Sequence, residues 1–338
     1  MSDLLVVGAG PAGLATALYA ARAGLSVVVL EQREGPIDKA CGEGLMPGAV
    51  RALRELGVPL GGRPLRGIRY LDDRRQAEAR FRHGDGMGVR RTELQAALLS
   101  RALAGGVRVV AGRAGPVHQD GGSVTAGGLT ARYLVAADGL HSPIRTQLGL
   151  GLPDRRERRY GLRRHYAVQP WTDLVEVHWS AGAEAYVTPV AEDLVGVAVL
   201  THHRAPYEQQ LERFPRLAAR LPPEAATAVR GAGPLRQRVR CHVAGRVLLV
   251  GDAAGYVDAL TGEGIAVSLA SARALVRALV AGRPERYEAG WAAASRRYRV
   301  LTESLLWARR HPPLARSIVP AAALLPQAFA GVVHQLAR

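Results

Sequence analysis

Residues 4–13 have the sequence LLVVGAGPAG, and this stretch decides the fold of the chain. Its first four residues form an apolar run that is typical of a buried parallel strand. Pro11 suits the first turn of a helix, and a second apolar segment, residues 26–30, ends at the acidic Glu31. The glycines that separate strand and helix follow the spacing GxGxxG: Gly8, Gly10 and Gly13. This order of elements predicts a dinucleotide-binding βαβ unit.

The residue types in this unit fit a pyrophosphate and a ribose. Glycines allow the pyrophosphate to approach the N-terminus of a helix closely, and the carboxylate of Glu31 can accept hydrogen bonds from ribose hydroxyls. The unit by itself fits NAD(P) as well as FAD. The residues that we predict to contact the dinucleotide here are Gly8, Gly10, Pro11, Ala12, Gly13, Glu31, Gln32 and Arg33.

The composition is that of a folded globular protein. The chain has 338 residues, of which 48% are hydrophobic and 22% charged, enough for one large domain or two intertwined ones. The formal net charge is +16, but Lys39 is the only lysine and the arginines are spread along the chain. The densest basic cluster, residues 155–164, contains Tyr160 as its only aromatic residue. This pattern predicts a solvated basic surface and no nucleic-acid partner.

Cysteine usage and the N-terminal residues indicate a cytoplasmic protein. The two cysteines, Cys41 and Cys241, are far apart in the sequence and form neither a CxxC pair nor a disulfide framework. We predict no metal site. Residues 4–21 carry no charge but follow Asp3 and contain several glycines, which argues against a signal peptide.

The middle of the chain changes to strand-like segments. Residues 161–168, 174–179, 183–190 and 194–200 have the alternation and β-branched content of strands, and Glu192-Asp193 can form a hairpin turn. They predict an antiparallel sheet inserted into the nucleotide-binding fold. A helical tail with several prolines follows, and residues 317–333 of this tail carry no charge. We expect packed helices there, with peripheral contact to a membrane surface as the alternative.

Three further motifs make the comparison with known families specific. Residues 91–94 are RTEL, residues 138–145 are DGLHSPIR, and residues 251–254 are GDAA. These motifs follow the βαβ unit in the same order as in the para-hydroxybenzoate hydroxylase superfamily of FAD enzymes, which the chain therefore resembles. The resemblance implies an α/β fold with a Rossmann-like FAD domain of the GR2 type, an inserted antiparallel substrate sheet and a C-terminal helical region.

The resemblance also implies roles for individual residues. Asp252 would bind the ribityl chain, Arg91 would contact FAD, and the segment at Asp138 would contact the cofactor and be associated with the use of NADPH or NADH as a transient electron donor. The turn at residues 262–265 would offer backbone N–H groups to the flavin, which suits the negative charge of the reduced ring. The cofactor-binding residues that we predict from these motifs and from the CGEGL segment are Cys41, Gly42, Arg91, Asp138, Gly251, Asp252, Gly262, Gly264 and Ile265.

The same resemblance implies a discontinuous domain organisation. The FAD-binding domain would comprise residues 1–70, 88–158 and 240–285. The substrate-binding sheet would comprise residues 71–87 and 159–239, and residues 286–338 would form the helical C-terminal region.

Within the superfamily, different motifs of this chain favour different branches. The CGEGL segment at residues 41–45, Gly255 and Glu263 are similar to the geranylgeranyl reductase branch, which saturates prenyl double bonds. Residues 186–189 are YVTP and lack the Trp and Phe that line the isoprenoid site of that branch. The sequence therefore favours an NAD(P)H-dependent monooxygenase that uses O₂ to hydroxylate an apolar aromatic or polyketide-type metabolite of secondary metabolism. A prenyl or alkene reductase and an electron-transfer flavoprotein are the alternatives.

Both reactions require a residue that handles a proton in a dry, apolar pocket. Strand alternation places Glu176 and His178 on one face of their strand. The candidate catalytic residues on the predicted sheet are His165, His178 and Tyr186.

Overall fold

The computed structural model describes residues 1–337. In that range the helices, in chain order, are α1 (Pro11–Arg22), α2 (Pro47–Glu55), α3 (Arg91–Ala104), α4 (Pro143–Gln147), α5 (Tyr207–Leu211), α6 (Pro215–Ala218), α7 (Gly264–Val280), α8 (Tyr287–Arg310), α9 (Pro312–Leu324) and α10 (Pro326–Leu336). The strands are β1 (Ser2–Val7), β2 (Val27–Glu31), β3 (Gly44–Leu45), β4 (Arg63–Leu65), β5 (Gly67–Leu71), β6 (Gln76–Arg80), β7 (Gly86–Gly88), β8 (Arg108–Ala111), β9 (His118–Gln119), β10 (Val124–Ala126), β11 (Leu129–Ala136), β12 (Gly151–Leu152), β13 (Tyr160–Ala167), β14 (Val175–Ser180), β15 (Ala183–Ala191), β16 (Leu194–Thr201), β17 (Arg230–Ala232), β18 (Arg238–Val239), β19 (Val243–Ala244) and β20 (Val247–Leu249).

The first sheet has eight strands and a parallel centre. Its order is β19-β20-β11-β1-β2-β8, with β10 and β9 attached to β11 as antiparallel additions. The pairs β20/β11, β11/β1, β1/β2 and β2/β8 are all parallel. Because parallel strands end at the same edge, the loops that follow β1, β2, β11 and β20 come together there. Three of the four sequence motifs follow these strands, and Arg91 of the fourth reaches the same edge, within 3.8 Å of the position of a Cβ atom on Gly10.

Helices cover this sheet and create the larger core. Helix α1 packs against α3 and α7, and apolar side chains of β1, β2 and these helices form one buried cluster. The strand residues Leu4–Val7 are apolar and at most 7% exposed, which explains the uninterrupted apolar run in the sequence.

The second sheet has seven strands in the order β17-β13-β16-β15-β14-β5-β6. All of its pairs are antiparallel except β14/β5, and β15 and β16 form the hairpin predicted from the sequence. The expected α/β arrangement, with an antiparallel second sheet and C-terminal helices, is confirmed.

The C-terminal helices α9 and α10 pack beside β6. Across residues 1–337, no individual helix has both the length and the apolar character needed to cross a bilayer; α9 and α10 meet those criteria only as a pair, which is bent by 102°. Phe329 and Val333 of α10 belong to a buried cluster that also contains Tyr70 of β5.

Candidate active site

A cavity of about 1020 Å³ extends from the carboxyl edge of the parallel sheet to one face of the second sheet. Most of the cofactor residues predicted from the sequence line it. They are Gly10, Pro11, Ala12, Gln32, Arg33, Cys41, Gly42, Arg91, Asp138, Asp252, Gly262, Gly264 and Ile265. Four predicted residues do not line it, because they shape the loops behind its wall: Gly8, Gly13, Glu31 and Gly251.

The glycine-rich turn is required by close packing of the backbone. A Cβ atom on Gly13 would lie 1.9 Å from the carbonyl oxygen of Gly8, and one on Gly8 would lie 2.5 Å from the carbonyl oxygen of Ala137. Gly8 also has a φ of +106°, which side-chain-bearing residues rarely adopt. The turn therefore brings the start of α1 against the sheet and leaves Gly10 on the cavity side.

Glu31 stabilises the same turn from the neighbouring strand. One carboxylate oxygen accepts the backbone N–H of Ala9 at 2.6 Å, and the other accepts the backbone N–H of Arg33 at 3.0 Å. The carboxylate therefore fixes the glycine-rich loop relative to β2. Contact between Glu31 and a ribose stays a prediction.

Asp252 lies in the turn after β20, at the centre of a charged group. Burial raises the pKa of Asp252, while the cationic side chains of Arg91 and Lys39 oppose this rise. Burial also lowers the pKa of Lys39, and the positive charges of Arg33 and Arg91 add to the decrease. Lys39 lines the cavity beside Gly139 and was missed by the sequence analysis, because no motif marks this lone lysine.

Arg145 joins two of the motifs. Its buried guanidinium donates hydrogen bonds to the carbonyl oxygens of Asp252, Ala253 and Leu140, and to the side-chain oxygen of Gln237 at 2.8 Å. The DG and GD segments are therefore held together by a side chain that itself lies behind the cavity.

The polar atoms of this end fit FAD. The Nε atom of Arg91 and one carboxylate oxygen of Asp138 are buried without a hydrogen-bond partner in residues 1–337, and both residues line the cavity. One is a donor and the other an acceptor, as the phosphates and hydroxyls of a dinucleotide require. Burial raises the pKa of Asp138 above its ordinary value.

The turn before α7 carries a buried acid. Gly262 has a φ of +69° and lines the cavity, and α7 begins at Gly264. Glu263 between them is 2% exposed, and burial raises its pKa to about 7, with the guanidinium of Arg297 opposing the rise. The carboxyl group of Glu263 therefore titrates near neutral pH.

A buried pair, Glu43 and His165, lies where the CGEGL segment meets the second sheet. His165 Nε2 is 2.6 Å from a carboxylate oxygen of Glu43, and His165 Nδ1 is 3.1 Å from Arg163 Nη1. A guanidinium can only donate, so Nδ1 accepts and Nε2 carries the hydrogen that is donated to Glu43. The other carboxylate oxygen of Glu43 accepts the backbone N–H of Arg91 at 2.9 Å. Both nitrogens of His165 are therefore engaged within the protein.

Glu43 is a second residue that the sequence analysis did not single out. It has a φ of +59°, the only positive φ of a residue other than glycine in residues 1–337. The sequence signal for Glu43 is its position between Gly42 and Gly44. Flanking glycines allow an unusual backbone conformation, which often occurs where a side chain has a functional role.

The three predicted proton-handling residues occupy different environments. Tyr186 lines the cavity, and its hydroxyl donates to the carbonyl oxygen of Leu260 at 2.7 Å. His165 lies behind Glu43, and His178 pairs with Glu176 at 3.2 Å on the opposite face of the sheet from the cavity. The catalytic roles of these residues stay predictions.

The remainder of the cavity wall is largely apolar, although Arg163, Thr188, His203 and Arg204 also line it. The side chains that face this part come from both sheets and from the C-terminal helix: Met46, Ile68, Tyr70, Val175, Val177, Ala198, Leu200, Leu235, Leu260 and Leu336. A small molecule placed here would be largely screened from water by hydrocarbon. Within residues 1–337, His, Cys, Asp and Glu side chains form no cluster of three or more that suits a metal ion.

The comparison with protein families decides the cofactor. Residues 1–295 match the family described as an FAD binding domain. The chain belongs to this family. The protein is thus an FAD-dependent oxidoreductase, and Arg91 and Asp252 line the cavity beside its glycine-rich turn.

Its relatives include both reductases and a monooxygenase. A menaquinone reductase of Mycobacterium tuberculosis is 32% identical over 351 residues, which cover 89% of this chain and 84% of the relative. The chloroplastic geranylgeranyl diphosphate reductase of Oryza sativa subsp. japonica is 30% identical and covers 89% of this chain and 71% of the relative. The para-nitrophenol 4-monooxygenase of a Pseudomonas species is 27% identical, with 83% and 78% covered.

Solved structures agree on the fold. A flavoprotein/dehydrogenase from Cytophaga hutchinsonii superposes with a TM-score of 0.86 at 18% identity and covers 99% of this chain and 92% of that structure. The halogenase PltM, solved with phloroglucinol and FAD, superposes with a TM-score of 0.75 at 16% identity, with 95% and 86% covered. The FAD-binding protein shares this architecture over nearly its whole length.

Proposed function

We propose that this protein is a flavin-dependent reductase that saturates a carbon–carbon double bond of an apolar isoprenoid substrate, with NADPH or NADH as the electron donor. The relatives at 30% identity or more that are described above are named as reductases of menaquinone and of geranylgeranyl diphosphate. This proposal reverses the order that the motifs favour, in which a monooxygenase stands first. Its chief support is the protonation state of the groups at the cavity wall.

The observation that carries the proposal is the environment of Cys41. The residue lines the cavity, and its sulfur accepts the backbone N–H of Glu43 at 3.4 Å. Burial raises the pKa of the Cys41 thiol, and the guanidinium of Arg91 opposes the rise without reversing it. The sulfur therefore keeps its proton at neutral pH, which suits a proton donor and does not suit a nucleophile.

Saturation of an alkene adds a hydride to one carbon and a proton to the other. Reduced FAD, when bound, supplies the hydride. Cys41 donates the proton to the second carbon, and the resulting thiolate regains a proton from solvent after the product leaves. The apolar wall excludes water, so that the proton comes from the protein.

Hydroxylation of a phenol requires the opposite, a group that removes a proton. Burial raises the pKa of Tyr186 well above its ordinary value, so its hydroxyl stays protonated and engaged with Leu260. Both nitrogens of His165 are engaged, and His178 lies on the other face of the sheet. Hydroxylation is the second candidate, because the Pseudomonas relative is named as a monooxygenase.

The test is an anaerobic turnover in D₂O. FAD-loaded protein, reduced with NADPH or dithionite, is mixed with geranylgeranyl diphosphate or menaquinone, and products are examined by mass spectrometry. We expect saturated product with solvent-derived deuterium at both carbons of each reduced bond after dithionite reduction, because the hydrogen at N5 of the reduced flavin also comes from D₂O. Cys41→Ala should slow product formation by about 100-fold while leaving flavin reduction intact, and Cys241→Ala serves as the matched control.

An aerobic arm separates the two candidates. Reduced protein is mixed with O₂ and para-nitrophenol in a stopped-flow instrument, and product formation is followed with flavin reoxidation. Hydroxylated product coupled to reoxidation, together with no anaerobic product, would overturn the reductase proposal and establish the monooxygenase.

A further inference from the structure

A second cleft, of about 950 Å³, lies between one end of the seven-stranded sheet and helices α8 and α9. Its wall is rich in arginine, whereas the wall of the first cavity at that sheet is mostly apolar and has Arg163 and Arg204 among its few charged residues. The two spaces lie on the same face of β14: Val175 and Val177 line the first, and Trp179 lines the second. At the rise of a strand, Val175 and Trp179 are about 13 Å apart.

The floor of the cleft is a buried ionic cluster. Arg159 donates to Glu184 at 2.8 Å and to Asp258 at 2.9 Å, and the Nε atom of Arg309 pairs with the other carboxylate oxygen of Glu184. All four side chains are at most 6% exposed. Both carboxylates are therefore already satisfied by these two guanidinium groups.

Three hydrogen-bond donors are left over at this cluster. Arg159 Nη1, Arg309 Nη2 and Trp179 Nε1 are buried and have no hydrogen-bond partner within residues 1–337. All three residues line the cleft, and Trp179 is 9% exposed. A buried donor without an acceptor is unfavourable, so these positions favour a ligand that brings several acceptor atoms.

The rim of the cleft adds positive charge. It carries four exposed arginines that form no ion pair within residues 1–337: Arg74, Arg75, Arg310 and Arg316. Arg236 also lines the cleft and pairs with Asp154 and Glu303. The acidic side chains on the rim are Asp72, Asp73 and Glu157, and one oxygen of Asp72 already accepts two backbone N–H groups.

We propose that this cleft is a binding site for a phosphate or diphosphate group. Such a group offers three or more acceptor oxygens and a full negative charge, which match surplus guanidinium and indole donors better than a hydroxyl or an amide does. The proposal does not depend on the reaction at the first cavity. The group can belong to a soluble phosphorylated molecule or to the head group of a lipid.

The test uses the FAD-loaded protein, so that the pyrophosphate site of the cofactor is filled. Inorganic pyrophosphate is titrated by calorimetry at fixed ionic strength while the flavin absorbance confirms that FAD stays bound. A parallel sedimentation assay uses phosphatidylcholine vesicles with and without phosphatidic acid. We expect saturable binding to pyrophosphate, to phosphatidic-acid vesicles, or to both.

Two variants report on the cleft. Replacing the four rim arginines by glutamine should raise the Kd by about tenfold or more, because each contributes a charge-assisted contact. Trp179→Phe keeps the ring beside Tyr70 but removes the indole N–H, and should raise the Kd by about fivefold. A matched control carries the same substitution at four exposed arginines outside the cleft: Arg108, Arg277, Arg283 and Arg296.

The outcomes distinguish the sources. Binding of pyrophosphate that the cleft variants weaken supports a soluble phosphorylated ligand. Binding of phosphatidic-acid vesicles alone, weakened by the same variants, supports a lipid head group. The proposal is overturned if neither probe binds, or if the control variant weakens binding as much as the rim variant, because binding would then reflect the net charge of +16.

Discussion

The parallel sheet and the seven-stranded sheet bury different kinds of residue. The central strand β1 buries only apolar side chains, and its functional contribution is the shape of the backbone that follows it. Strands β13 to β15 bury Arg163, His165, Glu176 and Glu184, each at most 1% exposed. One sheet acts through loops at its edge, while the other acts through charged side chains on its faces.

The difference shows how each half depends on its partners. The turn at Gly8 and Gly13 packs against backbone atoms of the same βαβ unit and of the segment that follows the neighbouring strand β11. Glu184 is satisfied by Arg159 before β13 and by Arg309 at the end of α8. The charged half of the site therefore exists only when the sheet and the C-terminal helices have assembled.

Loss of the buried charge of Glu184 should have the largest effect on the stability of the seven-stranded sheet. Glu184→Gln removes the negative charge that pairs with two buried guanidinium groups. We expect it to lower the free energy of unfolding by about 3–5 kcal/mol in a urea titration. Glu192→Gln is the control, since Glu192 is 92% exposed in its pair with Arg63 and should change stability by less than about 1 kcal/mol. Equal effects would contradict the special role of the buried cluster.

A second test concerns the acid at the start of α7. The pKa of Glu263 is raised from 4.5 to about 7, so the folded protein holds one more proton than the unfolded chain between these values. Its stability contribution is therefore present below pH 4.5 and lost as the pH rises through 7, by about 3 kcal/mol. Glu263→Gln should remove this loss when unfolding is measured from pH 4 to pH 8, whereas Glu285→Gln at an exposed position should retain it. A pH dependence unchanged by Glu263→Gln would disprove the assignment.

The third test concerns the glycine-rich turn after β1 and has the smallest expected effect. Glu31→Ala removes the carboxylate that holds the N–H of Ala9, and FAD affinity should fall by about 1–3 kcal/mol, measured by the quenching of flavin fluorescence. Glu34→Ala, at an exposed neighbour, should leave affinity unchanged. If both variants bind FAD like the parent protein, the loop geometry does not need this carboxylate.

The cofactor end was largely predictable because its signal is local. The residues 8–13 and Glu31 follow from spacing alone, and Arg91, Asp138 and Asp252 follow from the resemblance of ordered motifs. Parallel strands then bring these motifs to one edge of the sheet without further information. Lys39 and Arg145 were missed or left without a role because their contacts come from loops distant in the chain.

The substrate end was predictable only as a set of strands. Alternation placed Glu176 and His178 on one face of their strand, but it did not show that Tyr186 faces the cavity or that His165 is engaged by Glu43. The distance in sequence between Glu43 and His165 is 122 positions, and no periodicity links them. The second cleft likewise depends on α8 and α9, whose placement beside the seven-stranded sheet no motif indicates.

The sequence by itself determined the FAD-binding βαβ unit, the order of the cofactor motifs and the existence of the inserted antiparallel sheet. These depend on local spacing, strand alternation and turn residues, which act between near neighbours. The folded arrangement of the two sheets and the C-terminal helices sets which sheet face lines the cavity, which side chains keep their protons and where the unpaired arginines collect. Burial and electrostatic pairing set those properties, and both arise from groups that come together only when the chain has folded.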